Sequence, residues 1–194
     1  MYEWIAGDSP LSFFRSSTTW EFLRPRQEEV DWTDVVWFKG AVPKHAFTMW
    51  VANYDRLPTR NRLAAWGLPV STDFPFCSRH IENRDHLFLR CDYSIQVWRE
   101  VFIRCQAPSS TLTDWSELLS WIRASGNTKL KLLRKMATQT VIFHLWKQRN
   151  NLIHNQTSLP AASVFYGIDK ELRNIISARK HSKHFCSLTP LWLR

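Results

Sequence analysis

The residues best equipped for chemistry lie in DFPFCSRHIENRDHLFLRC, Asp73 to Cys91. Two thiols and two imidazoles fall there at the spacing Cys77-x2-His80-x5-His86-x4-Cys91. Thiolate sulfur and imidazole nitrogen are the donors of structural zinc sites, which close four tetrahedral ligands around the ion. A two-residue gap between Cys77 and His80 has the knuckle spacing, so one short turn can present both side chains to one ion. A catalytic zinc would leave one position open to water and would need a base in a pocket. Only Glu82 and Asp85 stand near enough in sequence to serve. No other catalytic arrangement is present. There is no Asp-Asp pair for a two-metal polymerase site, no glycine-rich phosphate loop, no G-x-S-x-G and no H-E-x-x-H. The chain is expected not to be an enzyme.

The elements that must position these ligands are read from punctuation and periodicity. Five glycines in 194 residues, and no hairpin signals, predict a mainly α fold. The expected architecture is a helical domain with a small zinc-knuckle-like insertion, an irregular N-terminal segment with short extended pieces, and a C-terminal helical pair. Residues 1–42 are the least regular, with extended aromatic stretches at Leu11–Phe14 and Asp34–Phe38. Pro43 opens a helix that places Phe47, Trp50 and Val51 on one face. Pro58 and Thr59 start a second, with Leu63 and Trp66 at helical spacing and Gly67 as its stop. Both tryptophans read as core. Residues 69–81 form a loop, and DHLFLRC a short helix. Ile95, Trp98, Val101 and Phe102 make a buried stripe on the next. QAPSSTLTD marks a subdomain boundary. Asp114 then caps WSELLSWI. A long helix runs from about Thr128 to His154, with one apolar face through Leu130, Leu133, Ala137, Val141, Leu145, Gln148 and Leu152 and a basic back. A last helix runs from Pro160 to about Arg179, and 181–194 is an irregular tail. The expected divisions are 1–42, 43–106, 107–180 and 181–194.

Charge is unevenly spread along these elements. The formal net charge is +9. Residues 1–42 hold four Lys/Arg against seven Asp/Glu, residues 43–105 nine against six, and residues 106–194 thirteen against four. A basic second half predicts contact with polyanions, above all nucleic acid. The four cysteines do not form a disulfide framework in a chain with no secretory or transit signal. No run approaches the roughly 20 apolar residues of a membrane span. An intracellular protein, nuclear or cytoplasmic, with no membrane contact is expected.

The stretch from Val30 to Val101 resembles the zinc-binding domain that follows the reverse transcriptase in plant LINE-type retrotransposon polyproteins. The matches are VDWTDVVWFKGAVPKHAFTMW, LPTRNRLAAWGL and ENRDHLFLRCDYSIQVW, in that order. FFRSSTTWEFLRPR and LWKQRNNLIHN are similar to the flanks of the same region. The resemblance implies a non-catalytic module with a CxxC pair, an acidic residue, His-Leu-Phe and a closing Cys. Set against that pattern, Glu82 lies five positions after Cys77. Cys77 then matches the second cysteine, His86 and Cys91 match the third and fourth ligands, and Phe74 stands where the first cysteine would be. Phenylalanine has no lone pair to offer. Either His80 replaces the missing ligand and zinc is held, or Cys77, His86 and Cys91 are relics packed in an apolar pocket.

The resemblance and the charge together imply binding to RNA or single-stranded DNA. The expected contacts are Lys44, Arg56, Arg60, Arg62, Arg79, Arg84 and Arg90 around the motif, and Lys131, Arg134, Lys135, Lys147 and Arg149 on the long helix. The other readings are a protein-interaction scaffold whose helices and tail, including Trp192, dock on a protein partner, and a relic fragment with no selected function.

Overall fold

The computed structural model describes residues 4–6, 9–11, 14–24, 30–106 and 112–193. The chain divides into two compact units, Met1–Asp31 and Trp32–Arg194. The first carries β1 (Trp4–Ala6) and β2 (Ser9–Leu11), paired antiparallel with Trp4 opposite Leu11 and Ala6 opposite Ser9. It also carries α1 (Ser16–Leu23), a helix with no buried residue. The expected extended piece at Leu11–Phe14 is described only in part, since residues 12 and 13 lie outside the described residues.

The second unit is helical and contains both 43–106 and 112–180 around one hydrophobic cluster. The punctuation expected near 107–111 lies outside the described residues. Residues Thr33–Val36 form a short helix, α2, where an extended piece was expected. The correction has a visible cause. Val35 and Val36 are fully buried, and their carbonyls accept hydrogen bonds from Gln139 Nε2, both at 2.9 Å. A tertiary partner for those carbonyls makes up for a weak local helix propensity.

Pro43 does open α3 (Pro43–Asn53), but of the expected face only Trp50 and Val51 pack on the core, half-buried, and the most buried face is another. His45, Ala46, Thr48, Met49 and Ala52 are buried, while Phe47 is 58% exposed. α3 packs closely on α7, and small residues allow that approach. Thr59 stands at the N-cap position of α4 (Arg60–Ala65), which ends at Trp66 and Gly67. Gly67 takes φ +84, so the stop is a left-handed glycine. Trp66 lies on the terminating turn and is 58% exposed, not core.

α5 (Asp92–Cys105) buries Val97, Trp98, Val101 and Cys105, with Ile95 and Phe102 at the margin. Asp114 caps α6 (Trp115–Arg123) by accepting from Glu117 N at 2.9 Å. α7 (Thr128–Asn155) is capped by Asn127, which accepts from Leu130 N at 2.8 Å. It is not a two-faced helix. Residues 136–142 are buried without interruption, because α2, α3, α5, α6, α8 and α9 surround it. The expected apolar face is buried from Leu130 through Gln148, but so are Arg134 and Arg149 of the expected basic back. α8 (Ala161–Ala178) buries Val164, Ile168, Leu172 and Ile176, an i,i+4 stripe.

The tail runs through turns over 181–187 and then forms a short helix. α9 (Leu188–Trp192) inserts Leu188 and Trp192, both fully buried, and Trp192 Nε1 donates to Asp169 Oδ1 at 2.8 Å. Trp192 therefore closes the core and is not a docking residue. Phe185 packs on Gly40, where φ is +95 and any Cβ would collide with the ring. Only glycine admits the tail at that point. Among the described residues no helix is long and apolar enough to cross a membrane.

Candidate metal centre

The loop that carries the ligands is closed on itself before any metal is considered. Asp73 and Ile81 form an isolated antiparallel bridge, and Glu82 N donates to Thr72 O at 2.8 Å. Inside that neck, Phe74 N donates to His80 O and Ser78 N to Phe74 O, both at 2.8 Å. Ser78 takes φ +48, which turns the chain sharply just after Cys77. Downstream, Asn83 Oδ1 accepts from His86 N at 2.8 Å and starts a turn of π-helix, His86–Arg90. The expected short helix is thus wider than an α-turn, and Cys91 N closes it on His86 O at 3.0 Å. π-turns are frequent at functional sites, because they re-aim one side chain within a helix.

These two pieces bring three of the four expected donors together, Cys77, His80 and His86, while Cys91 lies outside that group. Cys77 Sγ lies 3.3 Å from His86 Nε2. The ligand atoms of Cys77, His80 and His86 all lie within 4.8 Å of one another. Zinc–sulfur and zinc–nitrogen distances give a tetrahedral edge of about 3.5 Å, so the Cys77–His86 pair already has the right separation. His80 is exposed and can close the remaining gap by side-chain rotation. Cys91 is buried against Cys77, and both are free thiols. Burial pushes the Cys91 thiol up to about 11, with the neighbouring Cys77 adding to the shift. Burial also holds His86 below the usual histidine range, and His80 adds to that. Neutral imidazole is the form that ligates a metal, and a bound cation would draw the protons from the thiols. The donor set therefore fits zinc.

Phe74 forms the apolar wall of this group. It is 2% exposed, and its ring meets the His86 ring edge-on with centroids 5.3 Å apart. His80 faces the other way onto His86, with ring centroids at 4.9 Å.

Glu82 carries no ligand role. It is fully buried and forms a two-pronged ion pair with Arg149, Nε to Oε1 and Nη2 to Oε2, each at 2.7 Å. Glu82 Oε2 also accepts from Arg60 N at 2.6 Å, and Arg149 Nη2 donates to Pro58 O at 3.2 Å. One ion pair therefore fastens the metal loop to both α4 and α7. Arg149 is 3% exposed and cannot meet a phosphate. Arg134 is likewise buried, and donates to the carbonyls of Cys105, Gln106 and Ala124 that end α5 and α6. Both belong to the architecture rather than to a nucleic-acid surface. Only an acidic residue with no ligand role hinted at the partner of Arg149; nothing local marked Arg134.

The other expected cations are spread over the surface. Lys44 is tied to Glu171 at 2.7 Å, Lys135 to Asp34 at 2.8 Å, and Arg84 to Asp85 at 3.1 Å. Arg56 lies over Tyr54 and Arg62 over Trp66. Arg60 donates to Asp73 O at 2.9 Å. Arg79 and Lys147 are exposed, and Lys131 is half-buried. Arg90 is exposed and donates to the carbonyl of Thr113.

Residues 14–98 match the family model described as zinc-binding in reverse transcriptase. No curated protein and no solved structure matches the chain. The family match covers a little under half of the chain, and Cys77, His80 and His86 converge within it.

Proposed function

We propose that this chain is a non-catalytic, zinc-organised nucleic-acid-binding module, derived from the region after the reverse transcriptase of a LINE-type retrotransposon. Cys77, His80, His86 and Cys91 would hold the ion, with His80 replacing the ligand lost at Phe74. Bound zinc would act as a structural cross-link between the loop and the π-turn. One observation carries the reading. The ligand loop displays its own arginines: Arg79 lies between Cys77 and His80, and Arg90 between His86 and Cys91. Both are exposed, and Arg90 donates to a carbonyl with the Asp114 carboxylate near enough to feel its charge. A loop locked by metal would hold these two charges at fixed positions, where they can neutralise phosphates.

Fluorescence anisotropy with labelled single-stranded RNA and DNA at rising salt tests this. The expected result is binding at low salt that falls steeply as salt increases, with a slope reduced by roughly 0.7 for each phosphate-contacting cation removed, such as Arg79→Ala. Affinity that ignores salt, or no binding at low salt, contradicts the reading.

A further inference from the structure

A cavity of about 480 Å³ opens between α4, the loop after it and the C-terminal part of α7. Its volume is in the range of small-molecule sites. Trp146, Leu63, Val70 and Ile153 supply apolar walls, and Asn150 and Arg60 converge on it as polar groups. No carboxylate lines it.

Each polar group has a defined state. Arg149 Nη1 donates to Asn150 Oδ1 at 3.1 Å, which leaves the Asn150 amide N–H free to donate into the cavity. The charge of Arg149 is spent on Glu82. The Arg60 guanidinium meets a main-chain carbonyl, so its charge remains available. Lys147, Asn150 and His154 share one face of α7 by i, i+3 and i+7 spacing; His154 lines the cavity, and Lys147 is exposed one turn along the same face. An aromatic wall, an amide donor and surrounding cations are the features that take a base with its flanking phosphates. The excess of positive charge, with no lining carboxylate, selects a polyanion over an apolar peptide.

We infer that this cavity receives one unpaired base of a single-stranded nucleic acid, beside the Trp146 ring, with the adjoining phosphates on Arg60 and Lys147. The inference rests on the nucleic-acid reading above and gives it a place. It predicts that affinity depends on bases as well as phosphates.

The test uses the full zinc-loaded chain and two single-stranded DNA probes of about twelve nucleotides, one of thymidines and one with abasic sites throughout. The thymidine probe is expected to bind about tenfold more tightly. Val70→Glu, an exposed change at the cavity wall, is expected to remove that tenfold advantage. Equal binding of both probes overturns the base pocket while leaving phosphate binding intact; it is also the outcome if the cavity takes an apolar peptide. An advantage that survives in Val70→Glu places the base elsewhere and overturns the assignment. Failure of both probes to bind at low salt overturns the nucleic-acid reading itself. Comparison of the two probes on the unaltered chain remains decisive even if Val70→Glu fails to fold.

Discussion

At the scale of single residues, Glu82 and Arg149 hold the metal loop to the helices. Both are buried, and each satisfies the other with two 2.7 Å bonds. Removing one partner strands a buried charge, which typically costs about 3–5 kcal/mol. Glu82→Gln is therefore expected to destabilise the chain by roughly that amount in urea unfolding. Adding Arg149→Met is expected to recover part of the loss, because the stranded charge is gone. A loss below about 1 kcal/mol for Glu82→Gln would show that the pair is not a fastening. Trp192 makes a comparable residue-scale case. Its ring is fully buried at the far end of the chain, and Trp192→Ala is expected to cost roughly 3–5 kcal/mol in the same assay.

At the scale of elements, α3, α7 and α8 meet at a polar seam. Glu171 on α8 lies 2.7 Å from Lys44 Nζ, 3.1 Å from His45 Nε2 and 2.6 Å from His144 Nε2. The His45 contact is close enough for charge but misaligned for a hydrogen bond. Burial alone would raise Glu171; the hydrogen bonds from Lys44 and His144 outweigh it and hold the carboxyl near 2. Burial holds His45 down to about 4, against the attraction of Glu171. His144 is lowered for the same first reason. A depressed folded-state value means stability that is complete above the unfolded value and lost below it. The histidines then cost stability as pH falls from about 6.5 toward 4, and Glu171 as it falls from about 4.5 toward 2. Thermal unfolding across pH 7 to 4 is expected to show a falling midpoint, and Glu171→Gln a steeper fall, because the histidines lose the carboxylate that favours their charged form. A flat profile would contradict the seam.

Element existence was largely legible in the sequence, and orientation was not. Pro43, Thr59 with Gly67, Asp114 and Pro160 each mark a helix boundary through backbone chemistry that acts locally. The inward face of α3 could not be read the same way. Its aromatic side, Phe47 and Trp50, outranks Ala46 and Ala52 in hydrophobicity, yet closeness of packing on α7 favours the smaller residues. In α7 the basic back misled, since Arg134 and Arg149 are buried with the apolar face. In the metal loop the donors were legible by type and spacing. The roles of Arg134 and Arg149 were not, since each depends on a partner far away in sequence.

At the scale of the whole molecule, the metal loop is rooted in the helical core, since Phe74, Leu87, Phe88, Leu89 and Cys91 belong to the same hydrophobic cluster as the helices. Most of the remaining core comes from helix pairs outside the loop, with α7 packed on α3 and on α8. Chelation is therefore expected to leave far-UV helicity nearly unchanged while lowering the melting temperature and exposing the loop to protease. Global unfolding on chelation would show instead that the core depends on the metal.

We propose that His80 completes the site in which Phe74 stands at a ligand's place, and metal content of the purified chain is the measurement for it. Wild type is expected to hold about one zinc per chain, His80→Ala to lose it, and Phe74→Cys to hold it at least as tightly. Full zinc retention in His80→Ala, or zinc uptake by Phe74→Cys alone, would contradict the account.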